Sequence, residues 1–106
     1  MEPGVAGLEV HKTVMEFFDT EGYQTGRRNG RMRGFFHGTG HGLGLEIHET
    51  PRISATSSDF LRAGQIVTVE PGLYYPELGG VRLEDVAHIT ANSPRNLTKF
   101  EKALEV

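Results

Sequence analysis

Between His37 and Glu49 the chain reads His-Gly-Thr-Gly-His-Gly-Leu-Gly-Leu-Glu-Ile-His-Glu, a run that constrains the fold more than any other. Three imidazoles and two carboxylates stand among four glycines. Imidazole and carboxylate are the side chains that transition metals and general acid/base steps use. The glycines allow tight turns or close approach of backbone to a ligand, at a cost in conformational entropy. His37 and His41 are four apart, which would align them on a helix, but the intervening Gly-Thr-Gly argues against one. A glycine-rich strand or turn is the better host. His41 and His48 differ in parity, so a regular strand would send them to opposite faces. A bulge or bend at Gly42 or Gly44 would bring them together.

At 106 residues the chain has the size of one small domain, since domains run to about 100–150 residues. Such a chain buries about two thirds of its unfolded surface, enough for a single modest core. A net charge of −3 and few aromatic residues give no global bias toward nucleic acid or membrane. No apolar run approaches the roughly 20 residues of a membrane span. Met1-Glu-Pro-Gly has no basic region followed by an apolar one, so no secretory signal is expected. Without cysteine there are no disulfides or thiolate metal sites. The expectation is a soluble, cytoplasmic protein.

Leu8, His11, Val14, Met15, Phe17 and Phe18 recur at helical spacing and predict a helix with a core-packing stripe, ended near Gly22. His11, on or beside the stripe, reads as a packed or solvated histidine rather than a catalytic one. Gly26–Gly34, with four arginines, has no periodicity and reads as a solvated basic loop. Its arginines are suited to phosphate or carboxylate, but nucleic-acid binding would want a larger basic face with aromatics interleaved. From Phe35 onward the pattern is β. Leu43, Leu45 and Ile47 alternate with polar positions and predict one apolar strand face. Thr50–Arg62 reads as a polar connection, Ile66–Val69 as a strand and Leu73–Tyr75 as another, running to a turn at Pro76. Gly79-Gly80 reads as a second turn, Val81–Thr90 as the last long strand, and Leu97–Val106 as a tail with one helical turn. The sum is α+β, a helix packed on a mainly antiparallel sheet.

Two further carboxylates stand in strand-like surroundings, in Val69-Glu70-Pro71-Gly72 and Arg82-Leu83-Glu84-Asp85. Glu70 ends a strand at a turn, where a carboxylate can point into a cleft. Arg82 and Glu84 lie two apart, hence on one strand face, where Arg82 is placed to orient Glu84 as partners of metal ligands do. The plainer reading is a surface ion pair, worth little in stability. Singly, each site favours the plain reading. In order, Gly-His-Gly-x-Gly, Val-Glu-Pro-Gly and Gly-Val-Arg-x-Glu-Asp form a pattern that chance rarely assembles.

These three motifs resemble the C-terminal half of the pita-bread metallopeptidases (family M24), which include methionine aminopeptidase, aminopeptidase P and prolidase. The match runs over nearly the whole chain and is nearest the Xaa-Pro peptidases. The resemblance implies that His41 binds metal, that Glu70 is a ligand of the same ion, and that Glu84 bridges two ions. It implies substrate-contacting, catalytic roles for His37 and His48, which would stabilise the tetrahedral intermediate. The cofactor implied is a pair of divalent ions, Mn²⁺ first, with Co²⁺ or Zn²⁺ as alternatives.

The family's site begins with two aspartates upstream of these motifs, and the aspartates here, Asp19, Asp59 and Asp85, do not fit those positions. A substrate histidine of the family, also upstream, is missing as well. Residues 1–106 are therefore expected to be a single partial catalytic domain. The missing N-terminal half would have to supply the aspartates. Alone, the chain is expected to bind one ion weakly or none, to lack efficient Xaa-Pro cleavage, and to be prone to homodimerise through the sheet edge that half would cover. The alternative is a metal-free pseudo-peptidase that binds peptide or protein. No nucleic-acid or membrane partner is expected.

Overall fold

The computed structural model describes residues 1–103. The expected helix is α1, Gly7–Thr20. Its stripe is only partly core. Gly7 and His11 are buried, whereas Phe17 is 61% exposed. The helix packs on a strand near its start, while its second half borders an apolar cleft of about 520 Å³ lined by Val14, Phe17, Phe18, Leu73, Val81 and Leu83.

The basic segment is a hairpin rather than a loop, formed by β1 (Gly26–Arg28) and β2 (Arg31–Arg33). Asn29 at φ 53° and Gly30 at φ 77° make its two-residue turn. Asn-Gly is the pair that tolerates positive φ at both positions and matches the twist of a hairpin. The arginines of β1 are exposed, as expected.

The main sheet contains β3 (Gly40–Gly42), β4 (Glu49–Ile53), β5 (Ile66–Val69), β8 (Asp85–His88) and β9 (Arg95–Asn96), in the spatial order β4-β3-β5-β8-β9. All its pairings are antiparallel. A separate hairpin joins β6 (Gly72–Tyr75) to β7 (Gly79–Arg82), and a bridge between Gly34 and Tyr74 ties it to the basic hairpin. The core consists of Ile53, Leu61, Val67, Ala87 and Ile89.

Four expectations about strands are corrected. Residues 43–48 form no strand, with bends over 44–48, and Leu43, Leu45 and Ile47 are 57%, 106% and 83% exposed. The chain doubles back there toward β4, so the alternating apolar set has no sheet to face. Thr50–Ile53, the start of the supposed connection, falls in strand β4. Pro51 is tolerated because β4 is an edge strand. Gly79-Gly80 belongs to β7, and the turn is Pro76–Leu78. The long strand Val81–Thr90 breaks at Leu83-Glu84 into β7 and β8, which lie in different sheets. Residues 97–103 contain no helical turn, and the rest of the expected tail lies outside the described residues.

β3 sits between two backbones at unusually short range. A Cβ on Gly40 would lie 1.8 Å from the Thr68 carbonyl oxygen of β5, and one on Gly42 would lie 2.1 Å from that of Thr50. The β3–β4 register also shifts between His41 and Gly42, from the pair His41–Arg52 to the pair Gly42–Glu49. Thr50 and Pro51 are thereby accommodated opposite a single step of β3.

Two predictions follow from this packing. Gly40→Ala must force β3 and β5 apart, so it should cost about 1–3 kcal/mol or more of stability, read as a lower melting temperature by circular dichroism. The second concerns His11, which is 6% exposed. Burial, with a smaller contribution from the charge of His37, holds its pKa below the ordinary 6.5. The unfolded chain therefore binds the extra proton more readily. The stability associated with His11 is complete above pH 6.5 and is lost as pH falls toward the folded-state value. Melting temperatures measured from pH 7.5 down to pH 5 should fall more steeply for the native chain than for His11→Gln.

Candidate metal centre

His41 is held in the middle of the sheet. Its amide donates to Thr68 Oγ1 at 3.1 Å, and its Nδ1 lies 3.0 Å from the Gly42 carbonyl oxygen. A carbonyl can only accept, so this contact assigns the ring proton to Nδ1 and leaves Nε2 as a lone pair in the neutral ring. Nε2 stands 3.0 Å from Glu70 Oε1. Glu70 follows directly after β5, at the strand end foreseen for it. Its amide donates to the Thr39 carbonyl at 2.6 Å, and Thr68 Oγ1 donates to Oε1 at 3.2 Å. Two acceptors thus face each other, an arrangement satisfied by a proton on His41 or by a cation between them.

His37 is oriented in the same way. Its Nδ1 lies 2.7 Å from the Gly38 carbonyl oxygen. Its Nε2 is buried and has no hydrogen-bond partner among the described residues. Phe35 and Tyr74 pack edge-on to the ring at 5.0 and 5.4 Å. His48, exposed at the rim, packs perpendicular to His41 with ring centroids 4.7 Å apart. The parity mismatch between these two histidines is resolved by the register shift at Gly42 and the bends that follow.

His37, His41, His48, Arg52, Glu70 and Arg82 line a cleft of about 350 Å³. Glu84 is not part of its wall. It reaches the others through Arg82, whose Nη2 is 3.8 Å from Glu84 Oε2 and whose Nε is 3.7 Å from Glu70 Oε2. The Arg82–Glu84 contact survives although the strand expected to carry both residues is broken. Among the described residues no three metal-type donors converge. His41 and Glu70 are together, and Glu84 is one guanidinium away. This donor set, one imidazole nitrogen with carboxylate oxygens, fits a divalent ion of the manganese-to-zinc series.

The aspartates are engaged elsewhere or distant. Asp59 accepts the Arg52 amide at 2.8 Å. Asp85 binds Lys102 Nζ at 2.5 Å, and that hydrogen bond holds its carboxyl below the usual range. Asp19 lies exposed at the end of α1. Sequence reasoning missed Arg52, hidden in the supposed connection, and Thr39 and Thr68, whose hydroxyls order the site. Thr68 carried a signal: it lies two before Glu70, hence on its face of the strand.

Comparison with known proteins identifies the family. Residues 1–91 match metallopeptidase family M24. The chain is 43% identical over 103 residues to an Xaa-Pro dipeptidase of Pyrococcus furiosus, covering 97% of this chain and 27% of the relative. The solved prolidase from Pyrococcus furiosus superposes with a TM-score of 0.81 at 44% identity, over 95% of this chain and 28% of that one. A methionine aminopeptidase from Thermotoga maritima superposes with a TM-score of 0.67 at 22% identity, over 94% of this chain and 45% of the other, a likeness of fold. The chain thus spans about a quarter of the length of its prolidase-type relatives. With one helix on antiparallel sheets, part of the pita-bread architecture, and with that breadth of match, it belongs to metallopeptidase family M24.

Proposed function

We propose that this chain forms one wall of a divalent-metal-dependent site for cleaving Xaa-Pro peptide bonds. The observation that carries the reading is the His41–Glu70 pair, two acceptor atoms 3.0 Å apart with the histidine's other nitrogen already committed. The likeness to prolidases supports the substrate class. In this reading His41 and Glu70 hold the first ion, Mn²⁺ by preference and Co²⁺ or Zn²⁺ otherwise. Glu84, held at present by Arg82, would be the further carboxylate for the first ion and for a second one. A bound ion supplies Lewis-acid polarisation of the scissile carbonyl and lowers the pKa of water at the site.

The chain's own residues do the rest. His37 lines the cleft with its Nε2 covered in the free chain; once uncovered, that nitrogen accepts a substrate N–H when the ring is neutral and donates to a negative oxygen when it is protonated. Phe35 and Tyr74 fix that ring and keep water from its edge. His48 contacts substrate from the rim of the cleft. Arg82 offsets the charge of Glu70 and Glu84 until an ion takes its place. The two further carboxylates that a dinuclear site requires come from an aspartate-bearing partner segment, because Asp19, Asp59 and Asp85 lie away from the cleft wall. One observation favours a second reading, a metal-free peptide-binding module: Arg82 already serves as a cation to both glutamates.

Titration with Mn²⁺, followed calorimetrically, separates the two readings. The native chain should take up a single ion weakly, His41→Ala and Glu70→Gln should abolish uptake, and Glu84→Gln should weaken it. Absence of uptake by the native chain would favour the binding module. The purified chain should show negligible Xaa-Pro dipeptide hydrolysis until mixed with a homologous segment carrying the two aspartates. Brisk turnover by the chain alone, free of contaminating peptidase, would sink the claim of incompleteness.

A further inference from the structure

We propose that His11 is a positioning residue for the His41–Glu70 pair, acting from α1 through Thr39; the inference rests on reading that pair as metal donors. The polar residues buried among the described ones are His11, Thr39 and Thr68, at 6%, 0% and 3% exposure. Thr68 already bonds both His41 and Glu70. His11 and Thr39 extend the same network to the helix, with His11 Nδ1 2.9 Å from Thr39 Oγ1. Burying either group without a partner costs free energy, and an apolar pair would fill the space without that cost.

What the bond does follows from the other contacts of Thr39. Its amide donates to the Ile53 carbonyl at 2.7 Å, and its carbonyl accepts the Glu70 amide at 2.6 Å. One residue is therefore fixed from the helix by its side chain, from β4 by its amide, and against Glu70 by its carbonyl. His41 follows two residues later on the same segment. A shift of Thr39 carries His41 with it along the chain but reaches Glu70 only through one hydrogen bond, so the two move unequally and the separation of Nε2 and Oε1 changes. The His11 ring is itself held by Phe35, with centroids 5.2 Å apart, so the helix end of the linkage is anchored as well.

The test uses Thr39→Val, which keeps the shape and deletes the hydroxyl, His11→Phe, the double variant, and Thr39→Ser, which restores the hydroxyl. Each is checked for folding by circular dichroism. Two readouts are taken: Mn²⁺ affinity, and hydrogen exchange of the Glu70 amide in metal-free protein. Thr39→Val and His11→Phe should each weaken Mn²⁺ binding about tenfold, the double variant no more than either, and Thr39→Ser at most about twofold. Glu70 amide exchange should quicken in the same order. Lower melting temperatures with Mn²⁺ affinity and Glu70 exchange unchanged, or additive losses in the double variant, would overturn the inference. If the native chain takes up no Mn²⁺, the metal reading fails by itself. Glu70 exchange then decides the positioning role: quickened exchange in Thr39→Val and His11→Phe supports it, and unchanged exchange refutes it.

Discussion

The site depends on how closely three backbones approach one another around His41. β3 runs between β4 and β5 with carbonyl oxygens where side chains would otherwise stand on Gly40 and Gly42. Glycine is disfavoured inside strands because it loses more entropy on folding and packs nothing. Here it is what lets the sheet close at all. His41 has room for its ring only because its neighbours have none, and the two carbonyl-facing glycines fix its direction. The glycine spacing of the motif is thus a requirement of the fold before it is a feature of the chemistry. Thr68 on β5 continues the same logic, since its hydroxyl takes the His41 amide, while Thr39, in the bend just before β3, pairs its hydroxyl with His11 of the helix.

Much of this was legible in the residue order, and the failures have identifiable causes. The helix, β5, the turn at Pro76 and the antiparallel α+β layout follow from periodicity and turn chemistry. Periodicity misled at Leu43, Leu45 and Ile47 because alternation reports a strand only where a partner surface exists. Glu49–Ile53 went unseen because Pro51 and its polar neighbours look like a loop, which an edge strand tolerates. The Asn29-Gly30 turn pair lies between arginine-rich flanks that lack the alternating apolar residues by which a hairpin is recognised. Leu83 and Glu84 looked continuous with the flanking β-branched residues, and nothing local marks the crossing from one sheet to another. For the site, His37, His41, His48 and Glu70 do share one cleft. Glu84 stands apart because Arg82 competes for it. The ordering threonines resemble ordinary strand formers, so no motif points to them.

Electrostatically the cleft wall sets one carboxylate, Glu70, against two guanidiniums, Arg52 and Arg82. Glu70 and the His41 lone pair face each other, while Glu84 stands off behind Arg82, whose guanidinium lies 3.7 and 3.8 Å from the two carboxylates. Contacts of that length are attractive without the directional hydrogen bonds of a bidentate pair. Arg82 is consequently displaceable. Its position between Glu70 and Glu84 lets one residue limit the charge repulsion between them in the folded chain.

The bends at residues 44–48 give the two sides of the cleft unequal local stability. His41 and Glu70 hang on sheet backbone and buried hydroxyls, so displacing them means opening the core. His48 rides on a segment whose apolar side chains are in water and whose backbone belongs to no ladder. Opening that segment exposes almost no new apolar surface, which puts it at the low end of the range of local unfolding free energies. A rigid donor pair facing a yielding histidine rim can admit ligands of different bulk without any change in the sheet that carries it.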